Sequence, residues 1–108
     1  MQSKYFSKKT VYNGETYDSA KEARRAAELN LLLLAGRIQD LRRQVTFELL
    51  PAQNGERAVK YTADFVYTEN GQMVVEDVKS EATRRIRDYV IKRKLFKFRY
   101  PGYDFREV

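Results

Sequence analysis

The stretch "YTADFVYTENGQMVVEDVKS", residues 61–80, decides the fold. Two β-rich runs flank "ENGQ", and Asn-Gly between such runs is the strongest short signal for a β-hairpin. If Asn70 and Gly71 form a two-residue type I′ loop, Glu69 faces Gln72 on the opposite strand. The numbers of every opposed pair then sum to 141, which fixes the register of the whole hairpin.

This register predicts that two carboxylates oppose each other. Asp64 pairs with Asp77, at a Cβ separation of about 5 Å. Lys79 shares their face, whereas Glu76 and Val78 point the other way; a role for Glu76 as the partner of an arginine is therefore expected. Carboxylates this close repel by roughly 3 kcal/mol at an effective dielectric of about 20. The pair can share a proton or hold a divalent cation. Alternatively, Asp64 lies in a bulge and Asp77 and Lys79 form an exposed ion pair on an edge strand.

The residue types limit the chemistry of such a site. The chain contains no histidine and no cysteine, which excludes thiolate or imidazole ligands and Ser-His or Cys-His catalysis. Oxygen-only ligands favour Mg²⁺ or Mn²⁺ over zinc. No run of 18 apolar residues occurs and the first residues, "MQSKYFSKK", lack an apolar core, so we expect no membrane span, no secretory signal and a cytoplasmic protein.

A first helix is predicted over residues 18–38. Ser19 and Glu22 form a capping-box pattern at its start, and Gly36 suits the position just after its end. As the third residue of the helix, Glu22 has an ordinary role available, in which its carboxylate reaches back to the Ser19 amide. The residues expected on the inner face are Ala23, Ala26, Ala27, Leu29, Leu33 and Leu34.

The remaining patterns predict a single domain over residues 1–108 with the element order α-β-β-β-α-β. Residues 1–14 are expected to be an irregular N-terminal arm with a turn at Asn13-Gly14. Alternating Val45, Phe47 and Leu49 predict a half-buried strand. The predicted strands and second helix span residues 44–50, 58–68, 72–79, 82–99 (the helix) and 103–108.

Residues 80–99 carry the whole formal charge of the chain. They hold eight Lys or Arg against two acids, a net charge of +6, while the other residues sum to zero. Basic residues with interleaved aromatics, here Tyr89, Phe96 and Phe98, are typical of proteins that bind a phosphate backbone. A solvated helix face or a patch for anionic membranes are the alternatives. The residues expected to contact nucleic acid are Arg84, Arg85, Arg87, Lys92, Arg93 and Lys94.

The second predicted helix has apolar residues on two sides. One side can pack on the sheet, and the other indicates a homodimer or partial exposure. The two stripes are Ile86, Tyr89, Val90 and Phe96, and Ile91, Leu95 and Phe98.

The acidic residues and the lysine together resemble the PD-(D/E)XK nuclease superfamily. Asp64, within "ADF", matches the first acid of the motif, and Asp77 and Lys79 match its D-x-K part. Glu22 matches the acid that the first helix of the family often contributes, and Gln44 matches a glutamine near the site. The likeness covers residues 12–108, and the chain departs from the motif only in having Ala where the name has proline.

This resemblance implies an αβββαβ restriction-endonuclease-like core, with a mixed sheet flanked by helices. It implies a Mg²⁺- or Mn²⁺-dependent DNA endonuclease with Asp64, Asp77 and Glu22 as metal ligands, and with Lys79 and Gln44 in the catalytic site. The closest likeness is to small phage-encoded, Holliday-junction-resolvase-like proteins, which implies branched or duplex DNA as the partner. A non-catalytic nucleic-acid-binding module of the same fold is the alternative, and a small interaction protein with a structural acidic pair is a third.

Overall fold

A mixed four-stranded sheet, with helices against both of its faces, forms the centre of the computed structural model, which describes residues 8–108. This confirms the predicted α/β class and the order α-β-β-β-α-β, to which the structure adds a short hairpin before the first helix. The elements are β1 (Thr10–Tyr12), β2 (Glu15–Tyr17), α1 (Ala20–Leu34), β3 (Gln39–Leu50), β4 (Val59–Glu69), β5 (Gln72–Asp77), α2 (Glu81–Arg84), α3 (Arg87–Arg99) and β6 (Asp104–Glu107).

The strands of the sheet follow the order β3-β4-β5-β6. The first two neighbouring pairs are antiparallel, and β5 and β6 are parallel, with α2 and α3 forming the connection that a parallel pair needs. The core divides into two clusters. One lies between α1 and the sheet, and the other lies between α3 and the sheet around the buried ring of Phe96.

The β4–β5 hairpin has the predicted register. Glu69 opposes Gln72 and Phe65 opposes Glu76, so the numbers of each pair sum to 141. The pairing ends at Phe65 and Glu76, so the predicted pair Asp64 and Asp77 comes directly after the last paired residues. The turn residues Asn70 and Gly71 have φ angles of 51° and 77°, and two positive φ angles in succession define the type I′ loop.

Strands β3 and β4 change faces at one point in their length. Ala63 packs in the α3-side cluster and Phe65 in the α1-side cluster, although residues two apart in a regular strand share a face. The opposed residues Gln44 and Asp64 lie between the pairs Val45–Ala63 and Arg43–Phe65, and Gln44 has a left-handed φ of 52°. Asp64 therefore lies where the two faces of the sheet exchange.

Helix α1 begins after Ser19 and ends before Gly36, as both residues predict. The Ser19 hydroxyl accepts a hydrogen bond from the Glu22 amide at 3.1 Å. The helix ends at Leu34, and Gly36 follows its cap with a φ of 75°, a conformation that glycine adopts without strain.

The predicted inner face of α1 is correct only in its first two and a half turns. Ala23, Ala26 and Leu29 are buried. Leu33 and Leu34 are exposed, the latter by 85%, and their assignment to the core was wrong. The chain turns after the helix, so Ile38 fills that part of the core in their place.

The second predicted helix is two helices. Its prediction as one element over residues 82–99 was wrong because Ile86 has an extended backbone, with φ −70° and ψ 130°, between α2 and α3. Ser80 and Thr83 form a capping box at the start of α2, which is a single helical turn. No helix within residues 8–108 has the length and apolar character needed to cross a membrane.

The prediction of an irregular arm over residues 1–14 was wrong for its last part. Strand β1 pairs antiparallel with β2 through a turn at Asn13 and Gly14, whose φ angles of 52° and 80° again define a type I′ loop. Residues 1–7 of the predicted arm lie outside the described residues.

Candidate functional site

Asp64 and Asp77 lie together at the end of the β4–β5 hairpin that is opposite its turn. Asp77 is the last residue of β5 and is 1% exposed. Asp64 Oδ2 accepts a hydrogen bond of 2.7 Å from the Val78 amide, which holds Asp64 beside the end of β5. Because β5 lies between β4 and β6, the alternative of an exposed ion pair on an edge strand does not apply.

Both carboxylate oxygens of Asp77 have donors. Lys79 Nζ is 2.7 Å from Asp77 Oδ1, and the Tyr61 hydroxyl donates to Asp77 Oδ2 at 2.5 Å. The Lys79 ammonium also lies 4.7 Å from the centroid of the Tyr89 ring, a cation–π contact. Asp77 is thus held in one orientation from two sides.

Glu22 and Gln44 complete the group from α1 and β3. The Gln44 amide lies 3.4 Å from both Glu22 Oε2 and Asp64 Oδ1, so it bridges the two acids. Glu22 is 4% exposed, and Arg43 Nη2 is 3.5 Å from its carboxylate. The Glu22 carboxylate thus points towards β3, and within residues 8–108 it accepts no hydrogen bond from the Ser19 amide.

Burial and the neighbouring acids raise the pKa values of Asp64 and Glu22. The pKa of Asp64 is raised to about 8, chiefly by burial and to a smaller extent by the charges of Asp77 and Glu22, and the Val78 hydrogen bond opposes this rise. Burial also raises the pKa of Glu22, with smaller upward effects of Asp18 and Asp77 and an opposing one of Arg43. The acids therefore share one electrostatic environment in which added negative charge is unfavourable.

The donors at this site fit a hard cation in chemistry. Glu22, Asp64 and Asp77 offer oxygens, which Mg²⁺ and Mn²⁺ prefer, and a cation would offset the negative charges that add to the effect of burial on the pKa of Asp64. In the described part of the chain, however, no group of three or more acidic, His or Cys side chains is already arranged to hold a metal ion. The two carboxylate oxygens of Asp77 instead contact the Lys79 ammonium and the Tyr61 hydroxyl.

The predicted DNA-contacting residues fall into two sets. Arg85, Arg87 and Lys94 are exposed, and Arg85 forms an exposed ion pair of 3.6 Å with Glu81. Arg93 pairs with Glu107 at 3.2 Å, and Arg84 lies 3.9 Å from Glu81. The partly buried Lys92 belongs with these two less exposed residues, so half of the predicted set is free to meet a partner from solvent.

The aromatic residues of the basic segment are mostly part of the core. Tyr89 and Phe96 are buried, whereas Phe98 is 86% exposed. Of the second apolar stripe, Ile91 is also exposed and Leu95 packs against the α3-side cluster. Of the two apolar stripes of the predicted second helix, Ile91 and Phe98 are thus the exposed members.

Sequence reasoning missed three residues that surround the acids. The hairpin register does not place Tyr61 next to Asp77; the change of faces at Gln44 and Asp64 does. Arg43 was not considered, although it contacts Glu22 and lies 3.9 Å from the Tyr17 ring centroid. The expected arginine partner of Glu76 is Arg25 of α1, which no local pattern identifies.

Fold and site together define an α/β domain with an acidic group and a lysine at the open end of its central hairpin. The chain belongs to the family described as "Protein of unknown function (DUF1064)", whose sequence model matches residues 2–107. No curated protein and no solved structure matches the chain.

Proposed function

We propose that this protein is a metal-dependent endonuclease that hydrolyses DNA phosphodiester bonds. The observation that carries the proposal is the meeting of Glu22, Gln44, Asp64, Asp77 and Lys79, which come from four elements, at one end of the sheet. These residues are 57 positions apart at most in the sequence, and no requirement of the fold brings acids together.

Asp64 and Asp77 would hold Mg²⁺ or Mn²⁺, with Glu22 contributing directly or through water. When bound, the cation supplies positive charge for the phosphate and a more acidic water. Gln44 fixes the relative positions of Glu22 and Asp64, since its amide contacts both. The raised pKa of Asp64 also means that this carboxyl holds a proton at neutral pH until a cation displaces it.

Lys79 provides a positive charge beside the acids without being a metal ligand. Its ammonium is 2.7 Å from Asp77 and is held over the Tyr89 ring. A fixed ammonium at this position stabilises the charge that develops on the phosphate oxygens during attack by water. Release of Asp77 to a cation would leave the Lys79 ammonium free to face the phosphate.

The exposed cations of the basic segment would contact the DNA backbone. Arg85 lies between α2 and α3, and Arg87 is the first residue of α3. Both residues are therefore close in the chain to Lys79 of the site. Backbone contacts of this type give affinity that depends on salt and little on sequence. Recognition of DNA structure, as in junction resolvases, is therefore favoured over recognition of a base sequence.

Cleavage of two strands at a branched DNA requires two sites, which a twofold homodimer supplies. Ile91 and Phe98 of α3 are exposed apolar residues that suit such an interface. The likeness to phage-encoded nucleases supports the proposal that the protein acts in the cytoplasm of a host cell.

A non-catalytic DNA-binding module is the second candidate, and one observation favours it. Asp77 is already paired with Lys79 and Tyr61, and among residues 8–108 no three acids are arranged around a metal position. A module that only binds DNA would retain salt-dependent affinity and show no cleavage with any cation.

A cleavage assay of the Asp77→Asn variant distinguishes the endonuclease from the non-catalytic DNA-binding module. Asparagine keeps the shape and the hydrogen bond from Tyr61 but removes the charge that holds a cation, so cleavage is expected to be lost while DNA binding is retained. Lys79→Ala is expected to slow cleavage and leave cation binding intact. Asp40→Asn is the matched control, because Asp40 is exposed and its left-handed φ of 53° suits asparagine.

The measurement is single-turnover cleavage of labelled branched and linear DNAs with Mg²⁺, Mn²⁺ or EDTA. Equal rates for Asp77→Asn and the wild type would exclude the carboxylate pair from catalysis. DNA binding by a wild type that cleaves none of these substrates would favour the binding module.

A further inference from the structure

A buried ion pair connects helix α1 to the centre of the sheet. Arg25 Nε donates to Glu76 Oε1 at 2.8 Å and Arg25 Nη2 donates to Glu76 Oε2 at 2.6 Å, which is bidentate pairing. The Tyr67 hydroxyl also donates to Glu76. Glu76 is fully buried, whereas the Arg25 side chain is 24% exposed.

Stability alone is a weak explanation for this pair. Removing two charges from water opposes folding, and buried ion pairs replaced by apolar side chains of similar volume are often neutral or more stable. Such a pair gives a defined geometry, because the planar guanidinium and the carboxylate meet in one arrangement. The residues that this arrangement positions are therefore the informative ones.

Each member of the pair is next to an acid of the candidate site. Glu22 lies three residues before Arg25 on α1, which places both side chains on neighbouring parts of one helix face. Asp77 directly follows Glu76 in β5. Helix α1 packs mainly against β1, β2 and β3, and the other polar link to this end of β5, from Lys21 to the Lys79 carbonyl, is exposed.

We propose that Arg25 and Glu76 are positioning residues that set the separation of Glu22 on α1 from Asp77 on β5, and so preorganise the site for a divalent cation; this rests on the proposed function. Neither residue touches the acids that it positions. Their effect is transmitted by one turn of helix on one side and one peptide unit on the other. Loss of a group that hydrogen-bonds to a metal ligand typically costs 10–100-fold in metal affinity, and the effect expected for Arg25 and Glu76, one step further from the ligands, is at the lower end of that range.

The test replaces the three buried polar side chains together, so that none of the three is left without a partner. Glu28, which also contacts Arg25, is exposed to water, and Arg106, which contacts Tyr67, keeps Glu69 and Asp104. The triple variant Arg25→Met, Tyr67→Phe, Glu76→Leu keeps approximate volume and removes all three members. The control variant Glu69→Gln removes the charge that pairs with Arg106 at 2.9 Å near the turn of the same hairpin, and it leaves the contact of Arg106 with the Tyr67 hydroxyl in place. Mn²⁺ affinity is measured from the electron paramagnetic resonance signal of free Mn²⁺, beside thermal unfolding and single-turnover cleavage at saturating Mn²⁺.

The triple variant is expected to unfold at or above the wild-type midpoint, and to bind Mn²⁺ about 10-fold more weakly with slower cleavage. The control variant is expected to keep wild-type Mn²⁺ affinity. A folded triple variant with wild-type affinity would show that the network is only structural. If the triple variant does not fold, Arg25→Lys decides: it keeps the charge and loses the bidentate geometry, and unchanged Mn²⁺ affinity would overturn the inference.

Failure of the proposed function gives a different result. A wild type that binds no Mn²⁺ would overturn the metal site itself, and the inference with it. Wild-type binding that the triple variant shares overturns the inference alone.

Discussion

Replacing Asp64 by asparagine is expected to stabilise the metal-free protein at neutral and alkaline pH. The pKa of Asp64 rises from an ordinary value of 3.8 to about 8 in the folded protein. Between these two values the folded protein keeps a proton that the unfolded chain has released. The free energy of unfolding of the wild type therefore falls as pH rises from about 4 to 8.

The size of the effect follows from the shift in pKa. At about 1.4 kcal/mol for each unit, the difference between pH 4 and pH 7 is about 4 kcal/mol, and Glu22, whose pKa is also raised, acts in the same direction. The lowered pKa of Glu107 has the opposite effect on the free energy of unfolding, but only at pH values below 4.5, the ordinary pKa of this group. Asparagine retains an oxygen that accepts from the Val78 amide, so Asp64→Asn keeps the hydrogen bond and loses the titration.

The assay is thermal unfolding by circular dichroism in EDTA from pH 5 to pH 9. About 2–4 kcal/mol corresponds to a midpoint about 10 °C higher for Asp64→Asn at pH 8 in a domain of this size, with little difference at pH 5. Asp40→Asn is expected to follow the wild type at every pH. A wild-type midpoint that rises between pH 5 and pH 8, or an Asp64→Asn curve parallel to it, would refute this account of the acidic group.

Two further predictions concern the surface of the last helices. DNA affinity, measured by fluorescence anisotropy, is expected to fall as the salt concentration rises. Each phosphate contact is expected to add about 0.9 to the slope of log affinity against log salt concentration. The exposed cations are Arg85, Arg87 and Lys94, and replacing them by alanine is expected to lower both the affinity and the slope equally for all DNA sequences. An unchanged slope would contradict their role as phosphate contacts. Phe98→Ser is expected to leave the unfolding midpoint unchanged, because the ring is 86% exposed, and to convert a dimer to monomers in sedimentation analysis. Dimers that survive this change would place the interface elsewhere.

The features that could be predicted from the sequence depend on local interactions. The register of the β4–β5 hairpin follows from Asn70 and Gly71, whose positive φ angles require a two-residue loop. The start of α1 follows from Ser19, because its hydroxyl satisfies a free amide at the helix start. In both cases two or three adjacent residues determine the geometry.

The features that were missed depend on contacts between distant residues. Leu34 continues the apolar pattern of α1, yet it lies beyond the surface that the helix covers. The left-handed Gln44 within β3 exchanges the faces of two strands, and only then does Tyr61 reach Asp77. Such a change is invisible to a period-2 pattern, which assumes that alternation continues along the strand.

The groups around the acids bear on how the site responds to a cation. Asp77 is held by Tyr61 and Lys79, and Asp64 is held by the Val78 amide and Gln44. These donors orient the carboxylates, but they do not offset the burial and the charges of Asp77 and Glu22, which keep the pKa of Asp64 raised. Ionisation of Asp64 therefore destabilises the folded protein without a cation, although the geometry of the site is defined.

A cation that binds only the folded protein is expected to recover this stability. At a concentration 100-fold above the dissociation constant, binding adds about 2.7 kcal/mol to the free energy of unfolding. Because the ligands must be deprotonated, Mg²⁺ or Mn²⁺ is expected to raise the wild-type unfolding midpoint more at pH 8 than at pH 5. Asp64→Asn removes both the repulsion and a ligand, so its midpoint is expected to be the same with the cation as with EDTA. Equal shifts for the wild type and Asp64→Asn, or a larger shift at pH 5, would show that the cation binds elsewhere.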